Sequence, residues 1–412
     1  MKRVTINRVI VFTLMLLLGF LGLAAAQEEA DEAPEAQVNT VEGTAFIPAQ
    51  LEASEERIGG LQLPEGFEIS VFAEGFERPR MMAQGEDGAV FVTLQEAGEV
   101  VALRDSDGDG QADDRQTVAS ELEGVHGVAI HEGRLYLANP TTVWVGDLPG
   151  EGEEAELEVV IDDLPDGGQH GNRTMRFGPD GMLYINVGSS CNSCPETNEE
   201  HATILQVEPD GSSREIFASG LRNTLGFDWH PETGEMWGMD MGADWRGDDS
   251  PPDELNLIEA GNDYGWPYCY ADRQPDLYIP YPPPDESYDD LAAYCEAETV
   301  GQVIGYQAHS SPINFVFYTA ESFPEDYRGH AFVTMRGSWN RQPPVGYKVV
   351  LLRFENGEPS EFEDFITGWL LEDGQAQFGR IAGLLVMQDG SLLIAEDTGG
   401  VIYRVSYDAG GQ

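Results

Sequence analysis

Beyond Leu61 the chain is a succession of short apolar runs broken by turn residues, and a sustained helical period is almost absent. The turns are mostly Asp-Gly or Glu-Gly, set between runs that alternate or are continuously apolar, which is the pattern of β-hairpins. A larger unit then repeats: a strand, such a turn, a second strand rich in aromatic residues, and one or two further strands. Six copies can be followed, beginning at Arg80, His126, His170, Arg222, Ser311 and Arg380. Their turns hold Asp87-Gly88, Glu132-Gly133, Asp180-Gly181, Thr233-Gly234, Gly329-His330 and Asp389-Gly390. Six self-similar units predict an all-β chain, a six-bladed β-propeller with four-stranded antiparallel blades, which protects its strand edges by radial closure. A β-sandwich would not keep one phase six times.

The longest departure lies between Gly261 and Gln307, with Trp266-Pro267, the run from Pro280 to Pro284, Cys269 and Cys295. It predicts a disulfide-linked loop insertion at about 262–308 over one face of the propeller, where long loops on a rigid scaffold shape binding sites. The propeller itself is expected over 59–408, after an acidic flexible leader at 27–58 and before a tail at 409–412. At the start, Lys2, Arg3 and Arg8 precede an apolar run from Val9 to Leu23 and the small residues Ala24-Ala25-Ala26. That layout predicts a secretory signal peptide over 1–26, cleaved near Ala26, and so a periplasmic or secreted protein with no membrane span in the mature chain. Four Cys in an exported chain read as two disulfides. Cys191 and Cys194 read as a local staple, with a redox or metal pair as the rival; no second CxxC completes a zinc site, and Pro195 stands where a c-type haem site needs His. Cys269 and Cys295 then pair by elimination.

Charge narrows the partners. The chain has 74 acidic against 22 basic residues, a net charge of −52. Phosphate backbones would be repelled, which argues against nucleic acid. The same composition fits a protein kept soluble in high salt, where screening weakens self-repulsion.

In a propeller, the loop leading into the innermost strand of each blade lies at one end of the central channel. That position reads, blade by blade, Arg80, His126, His170, Arg222-Asn223, His309 and Arg380. Three of the seven His fall there, in a chain poor in cations. Clustered Arg implies an anionic ligand held by charge-assisted hydrogen bonds, and a nearby His supplies a base tunable to neutral pH. Gly242-Ala243-Asp244, Asp248-Asp249 and Asp253-Glu254 offer carbonyls and carboxylates suited to calcium. Separately, the stretch from Asp105 to Asp114 reproduces the opening of an EF-hand loop, with candidate oxygen ligands on Asp105, Asp107, Asp109, Gln111 and Asp113. It has Gln116 in place of the closing Glu and no flanking helices, so it reads as a structural calcium loop between strands.

Several of these segments resemble one family. Gln169 to Asn192, Gly220-Leu221-Arg222-Asn223, Asp253 to Ile258 and Gly261 to Pro267 resemble the glucose/sorbosone dehydrogenases that use pyrroloquinoline quinone, over roughly 61–408. Cys191-Asn192-Ser193-Cys194 looks more like the sorbosone branch. The resemblance implies a soluble aldose-dehydrogenase-like enzyme oxidising a sugar or a sorbosone-like aldehyde with the quinone and calcium as cofactors. It makes His170 the base that takes the substrate hydroxyl proton while hydride passes to the quinone. It places Arg222, Asn223, Arg336 and Arg380 at the cofactor, with His126 and His309 beside them, and calcium at Gly242, Ala243, Asp253 and Glu254. The glucose enzyme has Gly-Pro where this chain has Gly242-Ala243. With no haem motif, electrons would leave to a separate acceptor, a cytochrome c or a quinone. Two rivals remain at this point: a calcium-dependent lactonase or esterase, which would not need Arg222, Arg336 and Arg380, and a non-catalytic propeller binding glycans or proteins.

Overall fold

The computed structural model describes residues 43–166 and 168–408. The expected signal peptide, residues 27–42 of the expected leader and the tail at 409–412 lie outside the described residues.

Six four-stranded antiparallel sheets follow one another along the chain, as the repeat predicts. Their innermost strands are Pro79–Gln84, Gly127–His131, Met175–Phe177, Gly226–Trp229, Pro312–Phe317 and Ile381–Val386. The sixth blade takes its outermost strand from the other end of the propeller: Phe67–Glu74 pairs antiparallel with Val401–Tyr407. Hydrogen bonds between the first and last strands therefore close the ring and leave it no open seam.

The sequence pattern follows position in the blade. Pro312–Phe317 and Val90–Leu94 are buried along their whole length, since both faces meet a neighbouring sheet, and they read as apolar runs broken only by Asn314 and Thr93. The outer strand Asp114–Ala119 keeps polar residues on its solvent side. Buried apolar residues gather between adjacent blades: Trp237, Met239, Phe315 and Val333 between the fourth and fifth, Phe332, Trp369, Leu392 and Tyr403 between the fifth and sixth. A fully buried Phe such as Phe315 contributes about 1.5–3 kcal/mol relative to an exposed one. Near the axis the backbones approach too closely for side chains. A Cβ on Gly226 would stand 2.7 Å from the carbonyl carbon of Asn314, so any larger residue would push the fourth and fifth blades apart. The inner strands enclose an axial cavity of about 340 Å³, lined among others by Met81, Ala129, Thr174, Asp228 and Asn314.

The loop insertion leaves the fourth blade after Asp253–Ile258 and returns as its last strand, Ile304–Tyr306. Both expected disulfides form, Cys191–Cys194 and Cys269–Cys295, and the second staples the insertion. The helix Leu291–Glu298 is capped by Asp290, whose Oδ1 accepts the Ala293 N–H at 2.9 Å. Arg246 grips Asp276 through Nε at 3.1 Å and Nη2 at 2.8 Å, which pins the insertion to the loop that follows Met236–Asp240.

Residues 43–58 depart from the expected leader. Ala49–Gln50 pairs in parallel with Ala376–Gln377, and the short helix Glu55–Ile58 is capped by Ser54. Leu51, Ala53 and Ile58 pack against the cluster between the fifth and sixth blades. These apolar residues are too widely spaced to show a period, so their anchoring leaves no trace in the sequence pattern.

Candidate active site

Polar contacts link four of the six loop positions, Arg80, His126, His170 and Arg222, in a closed circuit. Arg80 pairs with Asp397, which accepts both guanidinium hydrogen bonds of Arg336, from Nε at 2.9 Å and Nη2 at 3.1 Å. The Arg336 N–H donates to Ser311 O at 2.9 Å, and the Ser311 N–H donates to Asp253 Oδ2 at 3.0 Å. Asp253 Oδ1 accepts the Gly242 N–H at 3.1 Å. The neighbouring Met241 O takes Arg222 Nη1 at 3.3 Å, and Arg222 O accepts the Ser189 N–H at 2.8 Å. Ser189 holds His170; Arg173 Nη1 donates to His170 O at 3.0 Å; His126 Nδ1 lies 2.9 Å from Arg173 O. Thr93 Oγ1 then joins His126 O, at 2.9 Å, to the Met81 N–H, at 3.0 Å, beside Arg80. All six blades contribute.

His170 is held in one tautomer. Its Nδ1 lies 2.8 Å from Ser189 Oγ and 3.1 Å from Ser189 O, and Ser189 Oγ donates its own hydrogen to Cys191 O at 2.8 Å. Nδ1 must therefore carry the proton, which leaves Nε2 as a free lone pair. Burial, with the Arg222 charge nearby, pushes the imidazole down to about 3, so it is neutral at ordinary pH. Close approach at Gly188 shapes this niche: a Cβ there would come 2.6 Å from His170 Cβ and 2.8 Å from Asn223 Oδ1. Arg173, fully buried, fixes the loop by donating to the carbonyls of Pro140, Pro165, His170 and Asn172 at 2.7–3.3 Å.

Around Asp397 the charge does not balance. Arg80, Arg336 and Arg380 crowd one carboxylate; burial alone would raise it, but Arg80 and Arg336 hold it at about 2. Arg380 donates to Gly337 O and lies over the Tyr347 ring, with 5.8 Å from Cζ to the centroid. Burial lowers Arg80 and Arg380 to about 10, which still leaves both charged at neutral pH. A cluster of net positive charge therefore sits in a strongly acidic molecule. Buried polar atoms without a protein partner lie in the same circuit: Arg80 Nε, His126 Nε2 and Asn223 Oδ1. An anionic ligand carrying both acceptors and donors would satisfy them.

Two expected ligand residues turn inward instead. Arg222 binds Asn192 O, Met241 O, Asn192 Oδ1 and Asp244 Oδ2 at 2.9–3.3 Å, so most of its guanidinium hydrogens go to protein. His309 places Nε2 2.8 Å from Gly247 O and Nδ1 3.2 Å from Asn340 Nδ2, which leaves neither nitrogen open. Both residues tie down the loop that carries Gly242 and Ala243. The same holds for the expected metal carboxylates. Asp253 accepts the N–H groups of Gly242 and Ser311, and Glu254 accepts that of Ala271 at 2.5 Å. Burial raises them to about 7 and about 8, and the hydrogen bonds they accept come from backbone N–H groups, so they organise the loop backbone. Among the described residues no hydrogen bond reaches the carbonyl oxygens of Gly242 or Ala243, which keeps these two as donors for a hard cation.

Residues missed in the sequence complete the frame. Asn192, in the Cys191–Cys194 loop, accepts the Asp244 N–H on Oδ1 at 2.7 Å and donates from Nδ2 to Asp244 O at 3.1 Å. Asn340 donates to Asp244 Oδ1 at 2.7 Å. Asp240, raised by burial to about 6, accepts the N–H groups of Arg222 and Asn223 at 3.0 and 2.7 Å.

Away from the axis, Asp105, Asp107 and Asp109 bring ligand oxygens within 4.8 Å of one another. Asp113 Oδ1 accepts the Ser106 N–H at 2.9 Å and stands outside that carboxylate group, while the Gln111 N–H donates to Asp109 Oδ1 at 2.8 Å.

The TrAA12-like family model matches residues 61–408. A protein of Borreliella burgdorferi, itself without an assigned role, is 28% identical over 374 residues, covering 86% of this chain and 93% of its own. The pyrroloquinoline quinone-dependent pyranose dehydrogenase of Coprinopsis cinerea is 22% identical over 408 residues, which takes in 85% of this chain and 55% of the fungal enzyme. The chain thus spans about half of that enzyme's length. A calcium structure of a Trichoderma reesei carbohydrate-active enzyme of family AA12 has a TM-score of 0.72 at 21% identity, covering 90% of this chain and 99% of that one. That likeness supports the same propeller.

Proposed function

The chain belongs to the TrAA12-like family, and from that premise we propose that it is an exported dehydrogenase that oxidises an aldose sugar or a sorbosone-like aldehyde with pyrroloquinoline quinone and calcium. The observation that carries this reading is the pairing of a neutral His170, its Nε2 free, with Arg80 and Arg336 on the single carboxylate of Asp397 and the Arg380 charge beside them.

Arg336, Arg380 and Arg80 would hold the carboxylates of the quinone, with Asn223 Oδ1 and His126 Nε2 completing its polar contacts. The carbonyls of Gly242 and Ala243 would hold calcium. When bound, the quinone supplies the two-electron acceptor and calcium the Lewis acid that activates it. The chain's own part is proton handling and placement. His170 Nε2 accepts the proton of the substrate hydroxyl, while Ser189 keeps Nδ1 protonated and the ring in plane. Arg173 holds the loop on which His170 stands, and the latch formed by Asn192, Asp244 and Arg222 sets the calcium segment relative to it. The reduced cofactor would pass its electrons to a separate acceptor, a cytochrome c or a quinone.

The test is reduction of an artificial electron acceptor by the protein with both cofactors present, across aldoses, other pyranoses and sorbosone. Sugar-dependent reduction that needs the quinone supports the reading. Its absence from folded protein with calcium present, together with hydrolysis of a lactone, would move the assignment to a calcium-dependent lactonase.

A further inference from the structure

Trp245 and Trp339 stand together at the surface, 43% and 36% exposed, edge to face with centroids 5.3 Å apart. Each adjoins a residue of the axial site. Trp245 follows Asp244 and Trp339 precedes Asn340, and Asn340 Nδ2 donates to Asp244 Oδ1 at 2.7 Å. Asp244 also accepts Arg222 Nη2 at 3.1 Å, so the indole pair is joined to the circuit around His170 by two hydrogen bonds.

The pair is held in place at a cost. Trp245 has a left-handed backbone, φ 66°, unusual for a bulky residue other than Gly. The segment ahead of the propeller braces the Trp339 backbone and the Trp245 ring. Phe46 donates its N–H to Trp339 O at 2.9 Å, and Gly43 lies so close to Trp245 that a Cβ would come 2.6 Å from Cε3. Two braced, exposed indoles on a molecule of net charge −52 mark a recognition surface. Polar residues follow both Trp closely in sequence: Asp249 is well exposed and pairs with Arg341 at 2.9 Å. Exposed indole near a carboxylate–guanidinium pair matches a pyranose ring, whose C–H face lies on indole while its hydroxyls donate to the carboxylate. A neutral saccharide also escapes the repulsion that such a charge imposes on anionic polymers and membranes.

We propose that Trp245 and Trp339 form a saccharide subsite beside the axial site, receiving a sugar ring other than the one oxidised, so that reducing oligosaccharides are preferred over free monosaccharides. This rests on the sugar-oxidising reading above and is tested separately from it. Binding of a reducing disaccharide series and the matching monosaccharides is measured by calorimetry without cofactors, for wild type, Trp245→Ala/Trp339→Ala and Trp245→Phe/Trp339→Phe. Steady-state oxidation of the same sugars by the holoenzyme follows. Disaccharide binding should weaken about tenfold in the Ala variant and recover largely in the Phe variant, whose rings still stack. KM for the disaccharides should rise by the same factor, with kcat and the monosaccharide constants unchanged. Equal disaccharide affinity and KM in wild type and the Ala variant would overturn the subsite while leaving the oxidation reading intact. If no sugar is oxidised by any form, the calorimetry still decides the subsite and the oxidation reading falls.

Discussion

Asp397 accepts two hydrogen bonds from Arg336, at 2.9 and 3.1 Å, while pairing with Arg80, and so one carboxylate stands against three guanidinium groups. Replacing Asp397 by Asn would leave Arg80 and Arg336 buried without their counter-charge. Removing one partner of a buried pair costs about 3–5 kcal/mol. Thermal unfolding should show a large fall in Tm for the variant. An anionic ligand in the same pocket restores part of the missing charge, so saturating quinone should raise the Tm of the variant more than that of the wild type.

The tautomer of His170 makes a kinetic prediction. His170→Gln should lose about 10²–10⁴-fold in kcat, the usual worth of a positioned base, with cofactor affinity nearly unchanged. Since the imidazole stays neutral down to about 3, kcat/KM in the wild type should show no acid limb from this group between pH 5 and 7. A pH–rate profile and a cofactor titration of both proteins check the two statements.

Asp253 and Glu254 bear on stability. Held neutral to about 7 and about 8 in the fold, they ionise near pH 4 in the unfolded chain. Below that pH they contribute nothing; between about 4 and 8 the unfolded chain releases protons that the folded one keeps, so folding is progressively disfavoured as pH rises. The metal-free protein should melt at lower temperature at pH 8 than at pH 5. Glu254→Gln retains an acceptor for the Ala271 N–H and removes the proton, so the gap should narrow by roughly 3 °C or more. An unchanged gap would place the pH dependence elsewhere.

Asn192 joins the Cys191–Cys194 loop to Asp244 and Arg222. Asn192→Ala leaves buried donors on Arg222 and Asp244 without acceptors, at about 1–3 kcal/mol. Urea unfolding should register that loss. The calcium concentration for half-maximal activity should also rise, because the latch holds the segment that carries Gly242 and Ala243.

The blades and the convergence of Arg80, His126, His170, Arg222, His309 and Arg380 were legible because a repeat fixes phase, and phase fixes which end of the channel a residue occupies. What each side chain does there was not. Arg222 and His309 carry the right chemistry for a ligand, yet their partners, Asn192, Asp244 and Gly247, sit far away in sequence, and only the folded ring shows that protein takes their hydrogen bonds. Asp253 and Glu254 carry the acidity of metal ligands in the sequence, where their burial is not visible. Asp240 and Asp397 could have been found. Each lies where the second strand of its blade ends, which antiparallel pairing brings beside the start of the first strand. Reading that phase as well would have placed both at the axial site. The packing of residues 43–58 left no periodic trace, since only Leu51, Ala53 and Ile58 anchor it.

The central claim is most directly tested by titrating the purified protein with pyrroloquinoline quinone at saturating calcium, following absorbance without oxygen, and then adding a reducing sugar. The account predicts one quinone bound per chain, weaker binding when Arg336 is replaced by Ala, and bleaching of the bound quinone by sugar in the wild type but far more slowly in His170→Gln. Folded protein that binds no quinone, or a bound quinone that no reducing sugar bleaches, would contradict it.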